Sequence, residues 1–379
     1  MQYQYSDRSF SFDKLPFYWQ PLTEETKNRF PETLPFELVM DEESGVLSQV
    51  VNPEVLQVIR ESYKAGTYIE GLMNEAGIGA EYSKDFLSFI DDGIGLASIR
   101  GKDVLEVGCG SGYFLDQLSK MGANVLGYEP GYAAIGKYDL PVIRDFFPSP
   151  EIATRKFDVI VCFGLLEHID HPVVILNHFR EYLAPQGCLI LAVPDCEQHL
   201  RSGDISMLVH EHFSYFTLST FQRFVEKHGF VSSGLKHSNF GGSLYGIFLK
   251  GAVSQHKDLT PGNVFLSIIE SIRKLEDFFR RYAGKTVGVY VPMRSMNALY
   301  LLKDIISSLQ IRLRLFDDSL YLRGKYCPGI DMPIEDPATL NNPKCDVILI
   351  YSYSFGAVIK EKIRNKFSGN INMVLIGEL

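Results

Sequence analysis

The sequence has few cysteines, and none of them is arranged as a disulfide or metal framework requires. Six cysteines occur among 379 residues, no two form a CxxC pair, and none precedes Cys109. Disulfide-rich secreted domains and zinc ribbons both depend on regularly spaced cysteines, so both classes are disfavoured. This pattern is typical of a reducing compartment, and we expect a cytoplasmic location without a metal site.

Two further absences concern apolar length and positive charge. No apolar run approaches the roughly 18 residues of a membrane-spanning helix. The start, MQYQYSDRSF, lacks the basic and apolar regions of a secretion signal. The formal net charge is −9, which repels phosphate polymers and anionic lipid surfaces. We therefore expect a small-molecule substrate, and neither a nucleic acid nor a membrane as partner.

The residues that are present indicate a folded chain of several domains. Hydrophobic residues make up 46% of the sequence, and 379 residues suggest two or three domains at roughly 150 residues each. From Lys102 onward, short runs of Val, Ile and Leu alternate with stretches of helical period. This alternation predicts an α/β fold with a doubly wound parallel sheet. A second alternation from Thr286 onward predicts a smaller Rossmann-like domain.

Three regions follow from this organisation. The N-terminal region, residues 1–95, has prolines spaced so that no long helix forms before Glu54, and we expect an irregular segment followed by helices. The second region, residues 96–253, carries the first alternation. A polar stretch at 254–263 with Pro261 and Gly262 predicts a linker, and residues 254–379 form a linker helix and the C-terminal domain.

A glycine-rich turn follows the first strand of the second region. The strand VLEVG runs into Gly108, Gly110 and Gly112, and a helix begins at Tyr113. Glycines at such a turn allow close approach of the backbone to a ligand and leave free N–H groups at the helix start. A dinucleotide fingerprint requires its third glycine where Tyr113 stands, so NAD fits less well. The GKT triplet at 284–286 precedes its strand, which excludes an ATP-binding P-loop.

The run E-V-G-C-G-S-G resembles the first motif of class I S-adenosylmethionine methyltransferases, with Glu106 and the three glycines in matching positions. Glu129 ends the next strand, where a carboxylate can accept the ribose hydroxyls of a cofactor. The resemblance implies that Asp145 reaches the adenine and that the FDVIVCFGLLEHI run, including Phe163, lies along the cofactor. It thus implies S-adenosylmethionine as the cofactor.

A second motif, VHEHFSYFT, follows the fifth strand. Three consecutive titratable side chains, His210, Glu211 and His212, cannot all face one way, and HEH is not the HExxH spacing of a zinc site. Together with NFGGSLYGIF (239–248) and two C-terminal stretches, it resembles the sugar C-methyltransferases that act on nucleotide-linked keto-deoxysugars. Such proteins have a zinc-binding N-terminal part, a methyltransferase domain and a C-terminal Rossmann-like domain.

The resemblance implies roles for individual residues. His212 is the expected base that removes a proton next to a ketone, with Glu211 beside it, and His210 is included as a further catalytic candidate. His168, which ends LLEHI, is expected near the keto oxygen, and Tyr63 is expected to reach over the site.

The sequence also departs from that family. Asp41 and Ser44 stand where the zinc-binding part has a CxxC pair, so we expect no structural zinc. Val209 replaces a tyrosine, and the PMRSMN turn lacks glycines. Five cationic residues are candidates for neutralising a diphosphate, although a solvated surface is the alternative: Arg294, Arg312, Arg314, Arg323 and Lys325.

Two other interpretations of function remain open at this level. The protein could be an O- or N-methyltransferase acting on a sugar or another small polar metabolite. It could also be a non-catalytic paralogue that binds S-adenosylmethionine and serves as an assembly partner.

Overall fold

The computed structural model describes residues 3–65, 73–75, 77–131, 138–252, 264–353, 355–366 and 371–379. By its internal contacts the chain divides into two compact units. One unit comprises Met1–Leu38, Gln198–His210 and Gly262–Leu379, and the other comprises Val39–Glu197 and Glu211–Pro261. The predicted linker at 254–263 lies outside the described residues.

The unit formed by Val39–Glu197 and Glu211–Pro261 contains a seven-stranded sheet with the order β11-β12-β9-β8-β5-β6-β7. Five strands are parallel, and two antiparallel strands complete one side. The strands are β5 (Asp103–Val107), β6 (Asn124–Tyr128), β7 (Val142–Ile143), β8 (Phe157–Phe163), β9 (Leu183–Pro194), β11 (Phe230–His237) and β12 (Ser243–Lys250). The predicted doubly wound sheet is confirmed.

Helices flank this sheet, and the burial pattern shows that both faces are covered. Val104 joins one apolar cluster and Leu105 the other, as a strand buried on both faces requires. The helices of this unit are α1 (Pro53–Lys64), α2 (Gly77–Ile94), α3 (Tyr113–Lys120), α4 (Pro172–Tyr182) and α6 (Leu218–Lys227). A short strand β4 (Leu47–Gln49) pairs antiparallel with β10 (Ser214–Tyr215).

The other unit contains the predicted C-terminal sheet. Its five strands are parallel in the order β15-β14-β13-β16-β17. The elements are β13 (Thr286–Tyr290), β14 (Arg312–Phe316), β15 (Ile334–Glu335), β16 (Val347–Ile350), β17 (Met373–Leu375), α7 (Val264–Arg281), α8 (Pro292–Ser308) and α9 (Gly356–Lys366). The Rossmann-like alternation predicted from Thr286 onward is thus observed.

A short insertion from the middle of the chain, Gln198–His210, belongs to this same unit. It follows the start of α5 (Glu197–Ser202) and is buried through Ile205 and Leu208. The amide of Asn297 donates to the carbonyl oxygens of both residues, at 2.9 and 2.8 Å. These hydrogen bonds anchor the insertion on α8.

The beginning of the chain differs from the irregular segment that the prolines predict. Strands β1 (Tyr3–Tyr5), β2 (Ser9–Pro16) and β3 (Thr33–Met40) form there, and β1 pairs antiparallel with β2. Prolines exclude helices but are tolerated at strand ends and edges, and Pro16 ends β2. Burial alternates along β3 with Leu34, Phe36 and Leu38 inside, which is the two-residue period of a strand.

The turn between β3 and β4 contains Asp41 and Ser44, which stand where the sugar C-methyltransferases have a CxxC pair. One carboxylate oxygen of Asp41 accepts from the backbone N–H of Ser44 at 2.6 Å and from its hydroxyl at 2.7 Å. A local hydrogen-bonded turn therefore closes this hairpin. None of the helices in the described ranges is long and apolar enough to cross a membrane.

Candidate active site

The glycine turn after β5 has the backbone geometry that the sequence predicts. Gly108, Gly110 and Gly112 all have positive φ angles of 77°, 50° and 81°, and Gly112 is the residue before α3. L-residues with a side chain rarely adopt these angles. A Cβ at Gly108 would also lie 3.0 Å from the Leu165 side chain. A side chain at any of these three glycines would therefore strain the turn, and only glycine leaves its backbone open to a ligand.

Glu129 follows β6 and faces this turn. Its carboxylate accepts the N–H of Gly110 at 3.0 Å and the N–H of Gly131 at 2.8 Å. An ionised carboxylate offers about four acceptor positions, so two remain for the hydroxyls of a ribose. The donor and acceptor set at this turn fits S-adenosylmethionine, which would be held by the three glycines and Glu129.

Glu106 lies on β5 itself, two residues before the turn, and is 3% exposed. Burial, and then the charge of Glu129, raise the pKa of Glu106 well above its ordinary value. Its Oε2 has no hydrogen-bond partner among the described residues. Glu106 is therefore a buried acid behind the turn, and its predicted role in binding the cofactor stays a prediction.

Asp145 and Phe163 occupy the ends of neighbouring strands. Asp145 is exposed after β7, where its carboxylate accepts the N–H of Phe146 at 2.7 Å. Phe163 ends β8, and its ring packs against Phe86 with centroids 4.9 Å apart. Both residues follow the carboxyl edge of the sheet, which is where ligands bind in open α/β folds. Their contacts with a cofactor remain predictions.

The acceptor-side histidines meet in the same unit. His168 ends a 3-10 helix, Leu166–His168, after β8, and His212 lies in the segment before β10. Their ring centroids are 4.6 Å apart and nearly perpendicular. The N–H of Phe213 donates to the carbonyl oxygen of Glu167 at 2.6 Å and ties the two segments together. The structure therefore brings together two histidines separated by more than forty positions.

Burial sets the protonation of this group. It lowers the pKa of His168 to about 4, so the imidazole is neutral at physiological pH. It raises the pKa of Glu211 to about 8. Tyr63, near the end of α1, has its pKa raised by burial and then by the charges of Glu211 and Glu167. Tyr63 and Glu211 therefore lie within electrostatic reach of each other, and the predicted position of Tyr63 over the site stays a prediction.

His210 is placed differently from Glu211 and His212, and its predicted catalytic role stays a prediction. It is 1% exposed and belongs to the unit that contains the N-terminal strands, whereas Glu211 and His212 belong to the other unit. Its ring lies 5.7 Å from that of Phe17 and 5.2 Å from that of Phe36, and its Nε2 is 3.3 Å from the carbonyl oxygen of Leu34. His210 is therefore a core residue.

The five cationic candidates of the C-terminal domain do not form one group of free charges. Arg314 is 7% exposed and pairs with Glu335, to which its Nε donates at 2.9 Å. Arg323 pairs with Asp336 at 2.6 Å, and Lys325 lies 3.0 Å from the centroid of the Tyr321 ring. Arg294 and Arg312 are exposed. Whether any of the five contacts a diphosphate stays a prediction.

One residue of the site was missed by the sequence reasoning. Glu167 is 2% exposed, and burial raises its pKa to about 8. One donor atom each of Glu167, His168 and His212 lies within 4.8 Å of the other two. The signal in the sequence was an acid placed inside the apolar run LLEHI, where an unpaired charge is costly.

Residues 82–232 match a family model described as a methyltransferase domain. One solved structure, magnesium protoporphyrin IX methyltransferase from Synechocystis PCC 6803 with bound SAM, is 13% identical with a TM-score of 0.40. It covers 53% of this chain and 100% of its own.

Two curated relatives match to different extents. C-methyltransferase NovU of Streptomyces niveus is 24% identical over 347 residues, which cover 83% of this chain and 80% of that protein. A ubiquinone biosynthesis O-methyltransferase of Paraburkholderia xenovorans is 31% identical over 111 residues, which cover 27% of this chain and about half (47%) of that relative. The glycine turn and Glu129 lie inside the matched methyltransferase domain. The chain is therefore a class I S-adenosylmethionine-dependent methyltransferase that resembles C-methyltransferases.

Proposed function

We propose that this methyltransferase transfers its methyl group to a carbon next to a ketone, on a nucleotide-activated keto sugar. The observation that carries the proposal is the contact between the half-buried His168 and His212, with ring centroids 4.6 Å apart. Similarity to a protein named C-methyltransferase along most of both chains supports carbon as the acceptor atom. The sugar and its nucleotide rest on the resemblance of the HEH and C-terminal motifs.

His212 and His168 have different chemical roles in this proposal. His212 takes the proton from the carbon beside the ketone, and the electron pair of that C–H bond forms the enolate. His168, neutral at physiological pH because burial lowers its pKa to about 4, donates a hydrogen bond to the developing enolate oxygen. S-adenosylmethionine supplies an electrophilic methyl group on sulfur. The carbon forms its new bond to that methyl group while the sulfur–methyl bond breaks.

The remaining residues of this proposal bind and orient the cofactor and the acceptor. Glu129 and the glycine turn hold the cofactor, as their hydrogen-bonding capacity indicates. Tyr63 lies within electrostatic reach of Glu211, and in this proposal both residues supply polar contacts to the acceptor. Arg294 and Arg312 of the C-terminal domain are exposed, and the role in neutralising a diphosphate that the resemblance implies for them stays a prediction.

A second candidate is methylation of a hydroxyl oxygen. It is favoured by the 31% identity to an O-methyltransferase within the catalytic domain. The same histidine would then remove a hydroxyl proton. The two candidates differ in one property, because only carbon methylation requires an exchangeable C–H proton.

Solvent exchange distinguishes them. The purified protein is incubated in D2O with a panel of nucleotide-linked keto-deoxysugars and no S-adenosylmethionine, and the C–H signals are followed by NMR. We expect loss of one signal next to the ketone, at a rate that falls at least about 100-fold in His212→Ala. His178→Ala, a partly exposed histidine on α4, is the matched control and should exchange normally. Methylation of a hydroxyl without any exchange would overturn the proposal.

A further inference from the structure

A histidine that the proposed mechanism does not use is bonded to a carboxylate at the carboxyl edge of the seven-stranded sheet. Nδ1 of His237, the last residue of β11, lies 2.7 Å from Oδ2 of Asp195, which directly follows β9. The side chain of His237 is 49% exposed and that of Asp195 is 20% exposed. An ionised carboxylate only accepts hydrogen bonds, so Nδ1 carries a hydrogen and Nε2 is left for a ligand.

The strand register places this pair on the same edge as the acceptor histidines. Leu244 of β12 is paired with Val193 of β9 on one side and with His237 of β11 on the other. Gly164, which directly follows β8, donates its N–H to β9 at 2.9 Å, and the chain beyond it carries His168. Since neighbouring strands lie about 5 Å apart, the carboxylate after β9 is one strand spacing from the end of β8.

The segment that carries His212 connects these two strand ends. Its next residue, Phe213, donates its N–H to the carbonyl oxygen of Glu167 at 2.6 Å. Phe216, further along the same segment, forms a parallel bridge with Asp195. The four steps from His212 to Phe216 span at most about 14 Å of extended chain. A nucleotide-linked sugar is long enough to reach from one end of this segment to the other.

The hairpin between β11 and β12, which contains the NFGG motif, holds the pair in place. The carbonyl oxygen of Gly242 accepts the N–H of Asp195 at 2.9 Å. The carboxylate of Asp85 on α2 accepts the backbone N–H groups of Asn239 and Phe240 at 2.9 and 3.2 Å, and the side-chain amide of Asn239 at 2.8 Å. The hairpin is therefore bonded both to a helix of the same unit and to the residue after β9.

Gly241 shows how closely this hairpin packs on α2. Its φ angle is 85°, and a Cβ there would lie 1.9 Å from the ring of Tyr82. The hydroxyl of Tyr82 donates to the carbonyl oxygen of Gly241 at 2.9 Å, and its ring centroid lies 5.3 Å from that of Phe240. The hairpin is thus a well-supported base for the half-exposed histidine at its start.

The charges around His237 determine which kind of group it can bind. One carboxylate oxygen of Glu197, the first residue of α5, lies within 4.8 Å of the donor atoms of both Asp195 and His237. The N–H of Glu197 donates to the other oxygen of Asp195 at 3.0 Å. Two carboxylates beside one imidazole repel a phosphate, whereas a neutral hydroxyl can donate to Nε2. The pair is therefore suited to a hydroxyl group.

We propose that His237 binds a hydroxyl group of the sugar acceptor through Nε2, with Asp195 as the positioning residue that keeps the ring hydrogen on Nδ1. This inference rests on the proposed function, because it takes the acceptor to be a sugar bound at His168 and His212. No bond is made or broken at His237. A sugar that lacks this hydroxyl leaves Nε2 without its partner, so the pair selects among acceptors that differ by one hydroxyl.

Calorimetry on the full-length protein with S-adenosylhomocysteine bound measures this selection without turnover. The probes are pairs of nucleotide-linked keto-deoxysugars that differ by one hydroxyl. We expect the wild type to bind the hydroxylated member of one pair about 10-fold more tightly, and His237→Ala to bind both members of that pair equally. His178→Ala, which changes a partly exposed histidine on α4, is the matched control and should keep the wild-type preference.

Variants of Asp195 test the positioning role. Asp195→Ala should abolish the preference as His237→Ala does, whereas Asp195→Asn, whose amide oxygen still accepts from Nδ1, should retain most of it. Both variants should bind S-adenosylhomocysteine normally. Because these side chains can also ligate a cation, the wild-type titration is repeated with EDTA. A preference that disappears with EDTA would assign the pair to a metal ion and overturn the inference.

The outcomes separate this inference from the proposed function. A preference that depends on His237, in a protein that exchanges no C–H proton, would remove carbon methylation and retain the hydroxyl contact. Normal exchange together with an unchanged preference in His237→Ala would remove only the hydroxyl contact. A wild type that shows no preference within any pair, or that binds none of these sugars, would also overturn the inference.

Discussion

Replacing Glu167 by glutamine should change how the stability of the protein depends on pH. In the unfolded chain this carboxyl ionises near its ordinary pKa of 4.5, whereas burial raises the pKa in the folded protein to about 8. Between these values the folded state binds more protons than the unfolded state. The free energy of unfolding of the wild type therefore falls as the pH rises through this window.

The size of the effect follows from the two pKa values. Each pKa unit corresponds to about 1.4 kcal/mol, so the full shift amounts to about 5 kcal/mol, of which about 2 kcal/mol is already lost at about pH 6. Glutamine has nearly the same shape but does not ionise. The advantage of Glu167→Gln over the wild type should therefore grow from pH 4.5 to pH 8 and then stay constant. Glu211 titrates in the same range but is present in both proteins, so its contribution cancels.

Urea unfolding followed by circular dichroism at several pH values measures this difference. Glu61→Gln, an exposed glutamate on α1, is the matched control and should show a difference that does not depend on pH. A constant difference between wild type and Glu167→Gln would show that Glu167 is ionised in the folded protein at all these pH values. The conclusion that burial keeps Glu167 neutral near pH 7 would then be refuted.

Three other predictions concern the cofactor turn and His210. Gly112→Ala should weaken S-adenosylmethionine binding, measured by calorimetry, at least about 10-fold, because an L-residue at φ 81° is strained by about 1–2 kcal/mol. Gly284→Ala is the control: the strain at its φ of 72° is similar, but it lies in the C-terminal unit, so this variant should bind the cofactor normally. Glu129→Ala should lower the same affinity by about 10–100-fold, from loss of charge-assisted hydrogen bonds worth about 1.5–3 kcal/mol, and normal affinity would contradict its role. His210→Ala should lower the free energy of unfolding by about 3 kcal/mol and keep the affinity for S-adenosylmethionine. Unchanged stability together with lost cofactor binding would instead support a role of His210 in the site.

Much of the cofactor site could be predicted from sequence because local rules determine it. A glycine turn between a buried strand and a helix requires positive φ angles at Gly108 and Gly112, wherever the strand lies in the sheet. The N-terminal cap of α6 likewise needs only its neighbours, since the hydroxyl of Thr217 accepts the N–H of Thr220 at the start of this helix. Both features are encoded within a few residues.

The acceptor site depends on tertiary contacts, and there the sequence was less informative. The spacing of HEH shows that its side chains cannot share one direction, but not which of them turns into the core. The rings of Phe17, which follows β2, and of Phe36 in β3 pack against His210. No local sequence pattern connects these two residues with position 210. Glu167 was overlooked for the same reason, because its importance comes from burial and from a histidine brought near it by folding.

The N-terminal strands illustrate a different limitation. The prolines correctly excluded helices, but the alternation of buried and exposed residues in β3 spans only eight positions. A pattern that short is easily hidden when a proline, here Pro35, stands within it. Strand formation there depends on pairing with other strands, which a single stretch of sequence does not reveal.

The insertion Gln198–His210 has a consequence for how this protein can be divided. Because these residues pack in the unit that is completed only by Gly262–Leu379, a shortened gene that stops after the seventh strand of the first sheet would leave them without their partners. Leu200, Ile205, Met207 and Leu208, all buried in the whole protein, would then face water. We therefore expect that the methyltransferase region of this chain does not fold independently. Truncation or recombination at the predicted boundary near residue 254 should yield a fragment that aggregates.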